Sequence, residues 1–323
     1  MVVKKVIAGF GFFRKRLYDV PINKLKDHSR PVPYAGTAIF LTFMTVIIGL
    51  RFFTHFPSGT LHRLRAIIFG GTIIFLLGLL DDILDLDFKV KFFWQVIAAI
   101  ILIYYGVCIK FFEVQQLNVA ATLFWVVLVS NAVNIIDILD GLAVGVAGIA
   151  ALAFFCITLP TEQIYVNYAS ITLFGVLSGF WLFNKPPAKV FMGDAGSLFV
   201  GFMLASLSMG ADYTGGNILG LFAPVLILGI PLYDTILVSY LRWRSGKPVF
   251  KGSKDHYALR LTVAGLSPWK IDILSYSISL LLAVSAFFIT FTSLKNALLI
   301  LMVVFLLSFT GSTIIGRIDI GEQ

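Results

Sequence analysis

LRAIIFGGTIIFLLGLLDD, residues Leu64 to Asp82, joins an apolar run to two adjacent aspartates, and both halves bear on the fold. About 20 mainly apolar residues are needed for a helix to cross ~30 Å of hydrocarbon. Nine further blocks share the apolar character, giving expected spans near 35–54, 64–80, 90–108, 119–136, 141–159, 164–183, 194–210, 216–241, 271–292 and 295–316. Their apolar residues are continuous rather than alternating, which favours helices over a barrel. With 323 residues, 59% hydrophobic and only 13% charged, and a mean hydropathy of +0.94, the chain lies outside the range of soluble domains. The expectation is an all-α, polytopic integral membrane protein of about ten transmembrane helices. Residues 35–316 form one membrane domain, 1–34 a basic interfacial segment and 317–323 a short tail.

Within the first segment, VIAGFGFF (Val6 to Phe13) is too short to span and is followed by Arg14, Lys15 and Arg16, so it resembles neither a signal peptide nor a span. No soluble domain fits between the spans, and no internal repeat suggests the inverted symmetry of transporters. Cys108 and Cys156 lie far apart, each in or at the end of an apolar block, and read as inert helix residues.

Polar residues collect in alternate connections. With an even number of spans, the termini and the connections 81–90, 131–140, 184–193 and 242–270 share one side, which carries 20 of the 25 Lys and Arg. The exceptions are Arg51, Arg63, Arg65, Lys110 and Lys295. The positive-inside rule therefore puts both termini and all four connections in the cytoplasm. Topology accounts for the net charge of +8; a basic inner rim also attracts anionic head groups and phosphorylated substrates. No nucleic-acid-binding motif accompanies the basic residues, so no nucleic-acid partner is expected.

Each connection carries its own chemistry. Asp81, Asp82, Asp85 and Asp87 precede Lys91 and Gln95; adjacent carboxylates repel, and solvent, protons or a divalent cation must relieve them. Oxygen ligands with room for water and phosphate suit Mg²⁺, although an ordinary solvated loop has the same composition. Asn131, Asn134, Asp137 and Asp140 recur every three residues before Gly141, forming one polar wall that suits a nucleobase, a sugar or a metal. Hydrogen-bonded helix packing is the plainer use of such a ladder. In FNKPPAKVFMGDAGS (Phe183 to Ser197), Pro186 and Pro187 turn the chain, and small residues from Gly193 open a helix whose N–H groups and dipole favour an anion. Asp194 there is an N-cap or a metal carboxylate, and Lys185 and Lys189 flank it as phosphate screens or orientation charges. The basic connection places His256 near Arg260, able to bind a diphosphate through a ring N–H and a bidentate fork, although a lone loop histidine is commonly a surface residue. Asp234 in PLYDT is either a helix anchor or a support for such a group.

Together, from LYDVPINKLKDHSRPVPYAGTAIF (Leu17 to Phe40) to DHYALRL (Asp255 to Leu261), these motifs resemble the polyprenyl-phosphate N-acetylhexosamine-1-phosphate transferases, the MraY, WecA and TagO group. The resemblance implies that Mg²⁺, or Mn²⁺, bridges the diphosphate of a UDP-sugar donor. An oxygen of undecaprenyl phosphate then attacks the sugar-proximal phosphorus and releases UMP, a step that needs positioning and charge neutralisation. It implies Asp194 as main metal ligand with Asp82 beside it, Asp81 or Asp82 acting on the lipid phosphate, and Lys91 neutralising charge. Asp137, Asp140 and His256 complete the catalytic set, and Asn131, Asn134, Asn184, Phe191, Gly193 and Arg260 would contact substrate.

Three departures stand out. Ile138 replaces a glycine in DILDGL, Ala258 and Leu259 occupy histidine positions beside His256, and the first membrane helix of WecA-like relatives has no counterpart. The reduced histidine motif and two spans after the basic connection favour the WecA/TagO branch. The expected donor is therefore UDP-N-acetylglucosamine, ahead of another UDP-N-acetylhexosamine or UDP-N-acetylmuramoyl-pentapeptide. The implied setting is the bacterial inner membrane, at the first membrane step of a cell-wall, lipopolysaccharide or teichoic-acid glycan, with the lipid bilayer as partner and a homodimer left open. A cation- or proton-coupled transporter is the rival class, because intramembrane carboxylates also mark ion pathways.

Overall fold

The computed structural model describes residues 18–19, 32–54, 58–160, 163–248 and 253–318. Most of the expected interfacial segment 1–34, part of the basic connection and the last five residues of the tail lie outside them. Twelve helices are described: α1 (Gly36–Phe53), α2 (Ser58–Leu84), α3 (Phe88–Tyr104), α4 (Gln115–Ile135), α5 (Leu142–Thr158), α6 (Ile164–Asn184), α7 (Gly193–Ser208), α8 (Ala223–Ile227), α9 (Gly229–Arg244), α10 (Tyr257–Val263), α11 (Pro268–Phe291) and α12 (Leu294–Gly316). The all-α expectation needs one correction: β1 (Tyr18–Asp19) pairs antiparallel with β2 (Val32–Pro33). The chain then bridges in parallel from Tyr34 to Phe191, which ties the entrance of α1 to the approach to α7.

The protein is nearly all-helical and multi-pass, but ten crossings are not established. Among the described residues, α1, α2, α4, α6, α11 and α12 are each long and apolar enough to cross a membrane, and counting a bent pair as one span raises the number to seven. The blocks expected at 90–108, 141–159 and 194–210 form helices of 17, 17 and 16 residues. The single span expected at 216–241 is broken: a 3₁₀ turn (Ile218–Phe222) and α8 meet α9 at 77°. The sequence LGIP fits the break, because Pro231 has no N–H to continue the hydrogen-bond ladder across Leu228 and is tolerated only in the first turn of the new helix.

At the centre stands α7. Every residue from Ala195 to Ser208 is buried, as expected for a helix that is apolar all round. It packs against α1, α2, α4, α5 and α6. Glycines allow the closest of these approaches: a Cβ on Gly78 of α2 would run into the Asp194 carbonyl, and one on Gly36 of α1 into the Met192 carbonyl and the Gly196 amide. Small residues at crossings are the usual device where the surrounding lipid is as apolar as the side chains. On the outside lies α12, with Phe305, Leu306 and Leu307 exposed and only Ala297 buried.

Helix direction places the polar ends together. The C-terminal ends of α2 and α4 carry Asp81, Asp82, Asn131 and Asn134, and the N-terminal end of α7 carries Asp194. Between α2 and α3, Asp85 turns the chain at a φ of 55°, a left-handed conformation that aspartate tolerates better than most residues. Asp87 then caps α3 by accepting from the Lys89 amide at 2.9 Å.

Candidate active site

Asp82 joins two helices that are 112 residues apart. Its carboxylate oxygens accept from the backbone N–H groups of Asp194, at 2.8 Å, and Ala195, at 3.0 Å. These are otherwise unsatisfied donors of the first turn of α7, so Asp82 caps that helix from outside and complements its dipole. Gly193 is required there: its φ is 63°, and a Cβ would lie 2.9 Å from Asp82 Oδ1.

Asp194 is held on its other side. Asn134 Nδ2 donates to Asp194 Oδ1 at 2.5 Å and to Ser197 Oγ at 2.8 Å, and Ser197 in turn donates to the Gly193 carbonyl at 2.8 Å. Asp81 accepts from Lys91 Nζ at 2.7 Å and from the Leu86 amide at 2.8 Å, and its carboxyl lies within hydrogen-bonding reach of Asp194. Asn131 and Gln95 exchange amide hydrogen bonds at 2.8 and 3.3 Å.

Beyond α4 the ladder leaves the helix and turns. Asp140 accepts from the Ala188 amide at 2.8 Å. Gly141, at a φ of 80°, donates its N–H to Asn184 Oδ1 at 3.1 Å, while Asn184 Nδ2 donates to the Val190 carbonyl at 2.9 Å. Asn184 is buried and therefore joins the turn to the approach to α7. Asp137 is unlike the rest, because its carboxylate takes part in none of the hydrogen bonds described. Burial pushes its carboxyl up to about 8, and the charges of Asp194, Asp82 and Asp140 act in the same direction.

The expected residues fall into two groups. Asp81, Asp82, Lys91, Asn131, Asn134, Asp137, Asp140, Phe191, Gly193 and Asp194 gather where α2, α3, α4 and α7 meet, Phe191 through its backbone link to Ala35 at 2.8 Å, and Asn184 joins them through Gly141 and Val190. His256 and Arg260 belong to a second knot. Asp234 Oδ2 bonds His256 Nδ1 at 2.7 Å, and Asp234 Oδ1 accepts from the Tyr257 amide at 2.8 Å. Asp234 is thus a support for the histidine, the role the sequence left open. Arg260 donates to Asp255 at 2.8 Å and to the Ile318 carbonyl at 2.5 Å.

Sequence reasoning passed over Asp272. It is fully buried on α11, neither carboxylate oxygen has a hydrogen-bond partner, and Oδ2 would lie 2.8 Å from a Cβ on Gly141. One turn along, Tyr276 donates to the Gly141 carbonyl at 2.7 Å and accepts from Trp181 Nε1 at 3.0 Å. The available signal was a carboxylate inside an otherwise apolar block.

The carboxyl oxygens gathered here are hard donors, the type that divalent cations take. Asp81, Asp82, Asp137 and Asp194 crowd together, Lys91 is the one cation paired with any of them among the described residues, and the Asp137 carboxylate takes part in none of the hydrogen bonds described. Among the described residues no group of three or more His, Cys, Asp or Glu side chains is placed to hold a metal ion; Mg²⁺ is commonly held by one or two carboxylates, with waters and substrate phosphate completing its shell.

Known proteins share this sequence pattern. The description Glycosyl transferase family 4 matches residues 64–212. A probable undecaprenyl-phosphate N-acetylglucosaminyl 1-phosphate transferase of Bacillus subtilis is 30% identical over 94% of this chain and 84% of its own length. A decaprenyl-phosphate N-acetylglucosaminephosphotransferase of Mycobacterium tuberculosis is 30% identical over 81% and 73%. A phospho-N-acetylmuramoyl-pentapeptide-transferase of Listeria monocytogenes is 33% identical over 81% and 85%. With that extent of likeness behind the helical bundle and its polar end, the chain belongs to glycosyl transferase family 4 and is a multi-pass membrane transferase.

Proposed function

We propose that this enzyme transfers N-acetylglucosamine 1-phosphate from UDP-N-acetylglucosamine to undecaprenyl phosphate. The new bond joins an oxygen of the lipid phosphate to the sugar-bearing phosphorus, the bond from that phosphorus to the bridging diphosphate oxygen breaks, and UMP leaves. The observation that carries the reading is the Asp82 cap, which fixes Asp194 beside Asn134 and the uncommitted Asp137 at one end of the bundle. The Bacillus and Mycobacterium relatives, both named for N-acetylglucosamine transfer, support the donor. The reduced histidine motif favours this donor over a muramoyl-pentapeptide one.

Asp194 and Asp137 would hold Mg²⁺, or Mn²⁺ in its place. Asp82 does not share that work in this proposal, because its oxygens already serve α7. When bound, the cation neutralises the diphosphate charge. Lys91, held on Asp81, screens the incoming lipid phosphate, and Asp81 orients it. The Asn131–Gln95 pair supplies amide donors and acceptors to the donor substrate. A lipid phosphate is already anionic at neutral pH, so no residue need activate it by forming a covalent intermediate. The distribution of Lys and Arg supports placing this end of the bundle, with both termini, on the cytoplasmic side of a bacterial plasma membrane.

The bent segment from Ile218 to Arg244 is a feature a transporter would share. Its only carboxylate, Asp234, is already bonded to His256 and the Tyr257 amide. The test is release of UMP from radiolabelled UDP-N-acetylglucosamine by purified enzyme with undecaprenyl phosphate. Activity should vanish with EDTA, return with Mg²⁺, and fall about 10²- to 10³-fold in Asp194→Asn, the scale of losing a main electrostatic group. Lipid-linked product from a muramoyl-pentapeptide donor alone would overturn the donor assignment. Ion uptake without UMP release would overturn the enzyme.

A further inference from the structure

A cavity of about 790 Å³ opens at the end of the bundle opposite the carboxylates. Its walls come from the first turns of α2 and α6, the outer half of α4, the end of α7 and the 3₁₀–α8 segment. Arg63 and Asp81 lie 18 residues apart on one helix, so about 27 Å at 1.5 Å per residue separates the cavity from the site above. The volume is within the range of small-molecule sites.

The lining has two parts. Toward the bilayer it is apolar: Phe124, Ile218, Phe222 and Val225 are all exposed large side chains. Deeper, polar groups stand without partners. Tyr165 and Tyr213 are buried, and neither hydroxyl has a hydrogen-bond partner, an arrangement that folded proteins seldom leave unanswered. Burial, with the Tyr165 hydroxyl nearby, pushes the Tyr213 hydroxyl well above the ordinary phenol range, so it remains a donor.

Positive charge completes the site. Arg63 lies 5.3 Å from the centre of the Tyr165 ring and reaches Gln163 only at 3.4 Å. Neither Arg63 nor Lys110, both in the lining, pairs with a carboxylate among the described residues. The one acid of the lining, Asp212, is spent on Thr214, accepting from its amide at 2.9 Å and its hydroxyl at 2.7 Å. An apolar wall facing lipid, two cations and two unanswered hydroxyls match an anionic phosphate head with a hydrocarbon tail.

We infer that this cavity is a binding site for an anionic glycerophospholipid of the leaflet opposite the carboxylate cluster. Its phosphate rests on Arg63 and Lys110, its head receives the Tyr165 and Tyr213 hydroxyls, and an acyl chain lies along Phe124 and Phe222. Such a lipid braces α8 and the bend at Leu228 without entering the reaction.

Cys108 lines the same cavity and makes a native reporter, with Cys156→Ser removing the exposed second thiol. In the purified full chain, dioleoylphosphatidylglycerol should slow N-ethylmaleimide modification of Cys108 at least tenfold, and dioleoylphosphatidylcholine should not. Arg63→Gln and Lys110→Gln should each lose most of that protection while transferase turnover stays unchanged. Lys110 is exposed, so its variant tests the idea even if Arg63→Gln unfolds. Equal Cys108 rates with and without phosphatidylglycerol would overturn the proposal. So would protection by inorganic phosphate alone, or by undecaprenyl phosphate where phosphatidylglycerol gives none.

Discussion

Asp272 and Asp82 show how differently two aspartates in one fold can be used. Asp82 gives both oxygens to amides of α7, whereas Asp272 is fully buried with nothing to bond. A buried polar group without a partner costs about 1–3 kcal/mol. Asp272→Val should therefore stabilise the protein by about that amount, read as a higher melting temperature of the solubilised enzyme. A lower melting temperature would mean that the carboxyl has a partner in the membrane. The sequence could not distinguish the two residues. A DD pair announces charge, but the partner that occupies Asp82 is 112 residues away, and local repulsion says nothing about it. The same limit applied to Asn184 and Arg260, whose residue types suit a ligand but whose hydrogen bonds go to backbone and Asp255.

Among the elements, α7 depends on how closely its neighbours approach. Gly78 of α2 touches the Asp194 backbone, so a methyl group there must move the helix end that carries the carboxylate. Gly78→Ala should cut turnover at least about tenfold, since misplacing a reacting group by ~1 Å costs up to about 100-fold. Turnover per folded molecule is the measurement, and an unchanged value would show that α2 and α7 can separate without cost. The connection before α10 should respond to pH instead. Burial would raise the Asp255 carboxyl, but the Ser253 hydroxyl and Arg260 together hold it below its ordinary 3.8. Its charged form is therefore favoured by folding, so its stabilisation is complete above that pH and fades as pH falls below it. Asp255→Asn should remove this acid-side slope in thermal unfolding as pH falls below 3.8. Apolar length made most helices legible, including α1, α2, α4, α6, α11 and α12. The break at Leu228 was not, because hydropathy sums the blocks on either side of it, although Gly229 and Pro231 were in plain view.

Across the whole molecule, polar chemistry is divided between two ends of one bundle. The carboxylates and Lys91 lie toward the end where α2 and α4 finish, and the Asp234–His256 pair adjoins them by way of Tyr257 and Asp272. Arg63, Lys110 and the cavity lie where α2 begins and α7 finishes. The sequence expressed this division as alternation between connections, and the helix directions reproduce it. Which end faces the cytoplasm follows from the Lys and Arg distribution alone, so it needs its own measurement. Lys189 and Gly215 are both exposed, and a Cβ on Gly215 meets nothing within 4 Å, so a cysteine at either position should leave the fold intact. In a background with Cys108 and Cys156 changed to serine, a membrane-impermeant maleimide should label Gly215→Cys in intact spheroplasts and leave Lys189→Cys untouched. Inside-out vesicles should reverse the pattern. The opposite result would put the carboxylates on the outer face, where no UDP-sugar is made, and the proposed donor would fail with the orientation.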